Sequence, residues 1–384
     1  MSARLNRARG DHSWRRLFWW TLSSLAACAS SASHAQSAVT LYGIIDTGVE
    51  YLTNVGPKKS SSVHMPSLTA SLPSLWGLRG KEDLGGGLSA VFVLESGFAP
   101  AQGSLNQGGR LFGRQAYVGL SSAQWGTLTL GRQYSQIFWA ALTGDTLAPN
   151  IYAAADLDPY LTQPRVDNAI TYTFTSSGLT AAATYSFGRD AVDSAPAGGC
   201  AGQSPTDWRA CKAMSAMLKY DAGKWGVAAA IDRNYGGGGT GSPLPRSSQT
   251  DTRALIDGYV KFGNATFGAG FQHRINHGEQ TPTVFDATSN YWWIGGSYLP
   301  LPSIALDAQF GHITVSNHDA GGSVIAARAM YLLSKATAVY VTAGHVFNQR
   351  NAAFSIDGGV IPPASTPLPG VNQTGALVGL RHLF

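Results

Sequence analysis

Charge is scarce in this sequence: only 13% of its 384 residues are Asp, Glu, Lys or Arg. That is too few for a self-repelling polyelectrolyte that stays unfolded. Long apolar runs are missing too, and the mean hydropathy is -0.03. Helices that cross a bilayer need roughly 20 apolar residues each, so a helical transporter is excluded. Cysteine is nearly absent, and none of Cys28, Cys200 and Cys211 sits in a compact Cys/His ligand pattern, so no metal site is expected. No dense Lys/Arg block is present, which removes the electrostatic footprint of a nucleic-acid binder. The glycine clusters do not open a helix after a strand, as a nucleotide loop would, and no cofactor is expected. Asp156 and Asp158 lie close in sequence, but a polar loop supplies neither a pocket nor separated acidities. No catalytic residue is assigned.

What is abundant is glycine, 46 residues, and aromatic residues, 10% of the chain. The first 35 residues stand apart. Arg4, Arg7, Arg9, Arg15 and Arg16 precede an apolar stretch from Leu17 to about Ala29, and Ser33-His34-Ala35 supplies small residues for cleavage before Gln36. Residues 1–35 therefore read as a signal peptide and 36–384 as the mature chain. Leu25-Ala26-Ala27-Cys28 also fits a lipoprotein box. Removing five arginines and one aspartate takes the formal charge from +5 to +1. Cys200 and Cys211 then remain, flanking a turn-rich segment in a compartment that permits disulfides, and a loop staple is expected.

From Val39 onward the apolar residues recur with a period of two. Leu88, Ala90, Phe92 and Leu94 alternate with Ser89, Val91, Val93 and Glu95, and Trp225, Val227, Ala229 and Ile231 do the same. That period marks strands between two unlike environments. It predicts sixteen of them, at 38–51, 74–81, 88–97, 111–120, 127–134, 168–176, 179–188 and 213–222, then 225–233, 251–262, 265–275, 289–298, 303–313, 322–333, 337–348 and 373–384. Tight connections such as Ser176-Ser177-Gly178 and Gly263-Asn264 alternate with long ones such as 135–167 and 349–372. Such alternation, with both chain ends at one rim, predicts an all-β fold: a 16-stranded antiparallel transmembrane β-barrel with short periplasmic turns and long extracellular loops. Tyr220, Trp225, Phe262, Phe267, Tyr298 and Tyr331 recur beside the short turns, where rings favour a membrane interface.

Several motifs then carry a family resemblance. Val39-Thr40-Leu41-Tyr42-Gly43-Ile44-Ile45-Asp46, Leu78-Arg79-Gly80-Lys81-Glu82-Asp83-Leu84-Gly85 and Arg110-Leu111-Phe112-Gly113-Arg114-Gln115-Ala116-Tyr117 are three of them. With the terminal Val378-Gly379-Leu380-Arg381-His382-Leu383-Phe384, they resemble the general porins of Gram-negative bacteria, particularly the beta-proteobacterial type. The resemblance spans essentially the whole mature chain. It implies a homotrimer of passive channels for small hydrophilic solutes and ions in the outer membrane, among its lipids and lipopolysaccharide. It further implies a third loop, 135–167, folded into the lumen as a constriction. Phe384 would be the terminal aromatic recognised by the outer-membrane assembly machinery. One position departs: Leu75 stands where the family often has arginine.

Phasing the strands turns Arg79, Lys81 and Glu95 inward. Arg110 and Arg114 are expected inward as well, opposite Leu111 and Tyr117, with Asp46, Arg274, Arg328 and Arg381 as further lumen residues. Charge is affordable there because the channel holds water. Simple alternation gives Arg132 the lipid-facing phase of Leu128 and Leu130; a place at the rim, a place in a subunit interface and an inward turn at a bulge are the alternatives. Asp145, Asp156 and Asp158 on the third loop are expected to face the basic wall and set up a transverse field. The combined expectation is weak anion selectivity. The alternative is a substrate-preferring channel using Tyr42, Tyr259, Trp293 and Tyr340, and a barrel enzyme is a more remote one.

Overall fold

A computed structural model describes residues 38–190, 200, 204–238, 242, 244–278, 287–316, 319–358 and 365–384. The expected signal peptide and Cys28 lie outside the described residues, and so do 191–199, just before Cys200, and 201–203, between the two remaining cysteines. Among the described residues there are eighteen strands. The first six are β1 (Ala38–Val55), β2 (Ser60–His64), β3 (Leu75–Gly85), β4 (Leu88–Ala99), β5 (Ser104–Leu105) and β6 (Gln115–Ser122). Next come β7 (Gly126–Tyr134), β8 (Arg165–Ser176), β9 (Leu179–Ser186), β10 (Ala213–Asp221), β11 (Trp225–Tyr235) and β12 (Thr250–Phe262). The last six are β13 (Ala265–Asn276), β14 (Ala287–Leu301), β15 (Ile304–Val315), β16 (Gly322–Leu332), β17 (Thr337–Asn348) and β18 (Gln373–Leu383). One helix, α1 (Gln136–Gly144), and two short 3-10 turns lie between β7 and β8.

Sixteen of these strands form the wall, each antiparallel to its neighbours, while β2 and β5 are short additions at the rim. The wall closes where β1 pairs with β18, from Ile44 opposite Leu383 to Leu52 opposite Gly375. Closure leaves no strand edge, so every wall strand finds its backbone partners inside the sheet, as a bilayer interior demands. On β11 the outward Trp225 and Ile231 are exposed while the inward Gly226, Ala228, Ala230 and Asp232 are buried. The outer face is thus apolar and the inner face mixed. The six aromatic residues beside the short turns are all exposed on the outside. Two pairs touch across a turn, Tyr220 with Trp225 and Phe262 with Phe267, their ring centroids 5.3 and 6.4 Å apart.

One strand begins later than its sequence suggested. Strand β6 starts at Gln115, and residues 110–114 form turns. Val118 and Leu120 point out, so Tyr117 faces the lumen, opposite to the expected phase. A stretch carrying Gly108 and Gly109, both at positive φ, interrupts the ladder. Alternation counted from Leu111 therefore runs one residue out of step.

The third loop's main apolar packing is inside the barrel. Ile137, Leu147, Ile151, Tyr152, Trp293 and Ile356 are buried where it packs against the inner wall.

The lumen and its folded-in loop

The loop after β7 turns inward because its first residues find polar anchors on the wall. Ser135 donates its hydroxyl to Asp232 on β11 at 2.5 Å. The Gln136 amide donates to Ser215 on β10 at 2.7 Å, and its side chain donates to Thr184 on β9 at 2.8 Å. Helix α1 then runs across β10 to β13. At its far end Gly144 N–H donates to Asp257 at 2.7 Å, and Gly144 O accepts from the Trp293 indole at 3.3 Å. A β-carbon at Gly144 would sit 2.7 Å from the backbone of Gly258 and Ala269, so only glycine lets the helix end lie on the strands. Each aliphatic side chain buried beneath it contributes about 1.5–3 kcal/mol.

The second half of the loop is fixed by charge. Asp158 accepts from Arg253 at 2.9 Å and from Gln272 at 2.7 Å, and the Arg253 guanidinium stacks over Tyr160 at 4.1 Å. Burial alone would raise the Asp158 carboxyl, but Arg253 and Arg274 outweigh it and hold its pKa down at about 2. Asp145 accepts from Leu147 N, Ala148 N and Gln309, and burial pushes its carboxyl up. Asp156 accepts from Ala153 N. Burial, reinforced by Asp357, Asp145 and Glu50, raises its carboxyl well above the usual range. The three loop acids therefore do not form a row facing Arg79 and Lys81. Asp158 and Asp145 engage the β12–β15 side, and Asp156 shares a cleft with Arg114 and Arg165.

Opposite the loop lies a cavity of about 620 Å³ against β6 to β10, lined by Tyr117, Thr129, Thr171, Thr173 and Lys219 among others. Trp139 of α1 projects toward it, 42% exposed. The basic wall continues on β3. Arg79 is exposed and stacks over Tyr42 at 5.3 Å, and Lys81 is exposed two residues on. Neither forms an ion pair within the described residues. Glu95 accepts from Tyr42 at 2.8 Å and from Arg114 at 2.7 Å. Arg114 and Arg165 both lie against Tyr134, their guanidinium carbons 5.9 and 4.6 Å from its ring centre. Arg165 also donates to the Tyr134 hydroxyl at 2.8 Å and has no carboxylate partner among the described residues.

The remaining basic residues are mostly compensated. Arg110 pairs with Asp167 at 3.0 Å and with Asp190 at 2.9 Å. Arg274 holds both oxygens of Asp251 at 2.9 Å, and Arg328 pairs with Asp307 at 2.8 Å. Arg381 donates to Ser71 at 3.4 Å, while Asp46 is buried under bonds from Ser71, Leu72 N and Tyr340. Arg132 is not lipid-exposed. The β7–β8 register shifts between Gly131 and Gln133, and its guanidinium meets Asp167 at 2.6 Å and Gly113 O at 2.8 Å. Trp293 and Tyr340 are buried, with their polar atoms already bonded, so they offer no face to a solute. Tyr42 and Tyr259 do face the lumen. Leu75, also inward, is buried. Cys200 and Cys211 form a disulfide.

Arg165 and Arg253 were missed by the sequence reading. Arg165 ends the loop, where no periodicity exists, and Arg253 lies on β12, where its role depends on a loop acid 95 residues away in sequence.

Residues 21–351 match the Gram-negative porin family. Outer membrane porin protein 32 of Delftia acidovorans is 27% identical over 95% of this chain and 99% of its own. An outer membrane porin protein of Bordetella pertussis is 46% identical over a shorter region, 29% of this chain and 32% of that protein. Among solved structures, an anion-selective porin from Comamonas acidovorans superposes with a TM-score of 0.71 at 23% identity, over 91% of this chain and all of its own. A trimer form of the Vibrio cholerae outer membrane protein OmpT gives 0.61 at 14% identity, over 91% and 99%.

Proposed function

The chain belongs to the Gram-negative porin family, and we propose that it is a passive channel of the outer membrane with a weak preference for anions. One observation carries the preference. Arg79 and Lys81 are exposed on the inner wall without a carboxylate partner among the described residues, whereas Asp158 is neutralised by Arg253 and the half-buried Asp145 and Asp156 have raised carboxyls. A cavity wall with uncompensated positive charge concentrates anions and repels cations. The buried Leu75 and the near-neutral mature charge keep the effect weak. The likeness to a porin described as anion-selective supports the same direction. Reversal potentials of purified protein in planar bilayers under a KCl gradient test it: a chloride-favouring sign is expected, and a cation-favouring sign overturns it.

The assembly follows the same reading. A homotrimer is supported by the trimer form of a protein with this fold, and mass measurement in mild detergent showing only monomer would remove it. Residues 1–35 are cleaved as a signal peptide, leaving the barrel of 36–384 with its constriction loop; the mature N-terminus by mass spectrometry checks the site. The protein works by diffusion, with outer-membrane lipids around it. A solute-preferring variant of this function is favoured by Trp139, whose ring stands over the threonine-lined cavity. Saturable flux with competition by one solute would mark that variant, and linear flux excludes it.

A further inference from the structure

At the upper end of the barrel three ligand-type side chains converge from three separate segments. Glu50 on β1 and His64 on β2 are cross-strand partners, and Glu50 Oε2 lies 2.8 Å from His64 Nε2. Asp357 comes from the long connection between β17 and β18. One donor atom from each of the three lies within 4.8 Å of the others. Glu50 is fully buried, Asp357 nearly so, and the His64 side chain is 17% exposed.

The frame around them is built independently of the trio. Tyr152 of the folded-in loop donates its hydroxyl to Glu50 Oε1 at 2.7 Å, which leaves Oε2 aimed at His64. The Ile356 amide donates to Gln373 Oε1 at 2.9 Å, and Ser355 bonds both Gln373 and Asp357. Ile356 itself is fully buried against Gly344 and Gly375, whose missing side chains make its pocket. Asp357 is thus delivered by its neighbours to a fixed place.

Two observations point to a cation. Glu50 is a buried carboxylate beside a second buried carboxylate, and the one basic side chain paired with it among the described residues is His64, 2.8 Å away. A neutral imidazole leaves that buried charge uncompensated, at a cost of several kcal/mol, whereas a cation held by both groups would balance it. Further, Glu50 Oε2 and His64 Nε2 are shielded from solvent and neither makes an aligned hydrogen bond, although they are 2.8 Å apart. Close approach without hydrogen-bond alignment is how two ligands sit on one ion. We propose that Glu50, His64 and Asp357 bind a divalent transition metal, Zn²⁺ being the type case. One imidazole nitrogen and two carboxylate oxygens suit zinc, whose ligands stand about 2.0–2.2 Å from the ion. Calcium is disfavoured because it takes roughly 6–8 oxygens. Tyr152 is the outer partner that orients the Glu50 ligand. The ion fastens the last long loop to β1 and β2, beside Tyr152 of the folded-in loop.

The test uses the full-length barrel in detergent, stripped with chelator and titrated with ZnCl₂ by calorimetry. Saturable binding of one ion per chain is expected, with a higher Tm. His64→Ala and Asp357→Asn should each weaken binding at least tenfold and abolish the Tm rise. Asp357 lies outside the barrel wall, so Asp357→Asn carries the test if His64→Ala does not fold. Absence of saturable Zn²⁺ binding by the wild type overturns the proposal, as does equal affinity in Asp357→Asn. Neither readout depends on conductance or ion selectivity.

Discussion

Gly43 has no side chain where the terminal ring of Phe384 lies: a β-carbon built there would overlap the ring. The two residues also exchange backbone hydrogen bonds, Gly43 N–H to Phe384 O at 2.9 Å and Phe384 N–H to Gly43 O at 3.1 Å. This contact lies on the outer face, at the seam where the last strand closes on the first. The half-exposed ring both covers the seam and ends the chain.

Replacing Gly43 with Val should therefore displace the ring and weaken closure, at a cost of about 1–3 kcal/mol for overpacking. Phe384→Asp should act more strongly, because it removes the ring and places a charge on the lipid-facing side. Both are read as the fraction of folded, heat-modifiable barrel in outer-membrane preparations. Unchanged amounts of folded Phe384→Asp would show that the ring contributes little to assembly.

The Asp158–Arg253 pair should hold the folded-in loop. Removing one partner of a buried ion pair costs about 3–5 kcal/mol. Arg253→Ala is expected to release the loop and give noisy, enlarged conductance, while the barrel still forms.

The same pair should make the loop acid-sensitive. The Asp158 carboxyl is depressed from its ordinary 3.8 to about 2 in the folded state. Its stabilisation is present in full above about pH 4 and fades as pH falls through 2, since protons then favour the unfolded form. Single-channel recordings across that window should show the loop loosening toward pH 2. The Asp158→Asn channel should lack that transition.

Selectivity should follow uncompensated charge rather than the number of arginines. Arg79→Gln, which removes one exposed charge without a carboxylate partner among the described residues, is expected to move the KCl reversal potential toward cations. Arg274→Gln, which removes a charge already held by Asp251, should move it far less. Raising salt should shrink the difference, since screening shortens from about 10 Å at 0.1 M to about 3 Å at 1 M. Equal shifts from the two changes would contradict the assignment of Arg79.

Sixteen strands were readable from the sequence within a few residues of where they lie, because a membrane wall imposes a period of two on every strand and that period is local. The outer aromatic residues were readable for the same reason. Strand β6 escaped because its phase depends on where pairing begins, and glycine-rich turns hide that start. Among the charged residues, Arg79 and Lys81 could be placed inward by alternation alone. What could not be read was which arginines are neutralised: Arg114, in the turn before β6, meets Glu95 on β4, Arg328 meets Asp307 across neighbouring strands, and Arg253 meets Asp158 on a loop 95 residues away in sequence. The folded-in loop was expected from resemblance, yet its acids turned out to be anchors to the wall. The sequence by itself determined the barrel, since alternation and turn lengths need only near neighbours. Only the tertiary structure decided which lumenal charges remain available and which side chains meet at Glu50, His64 and Asp357, because electrostatic compensation depends on distances in space between segments far apart in the chain.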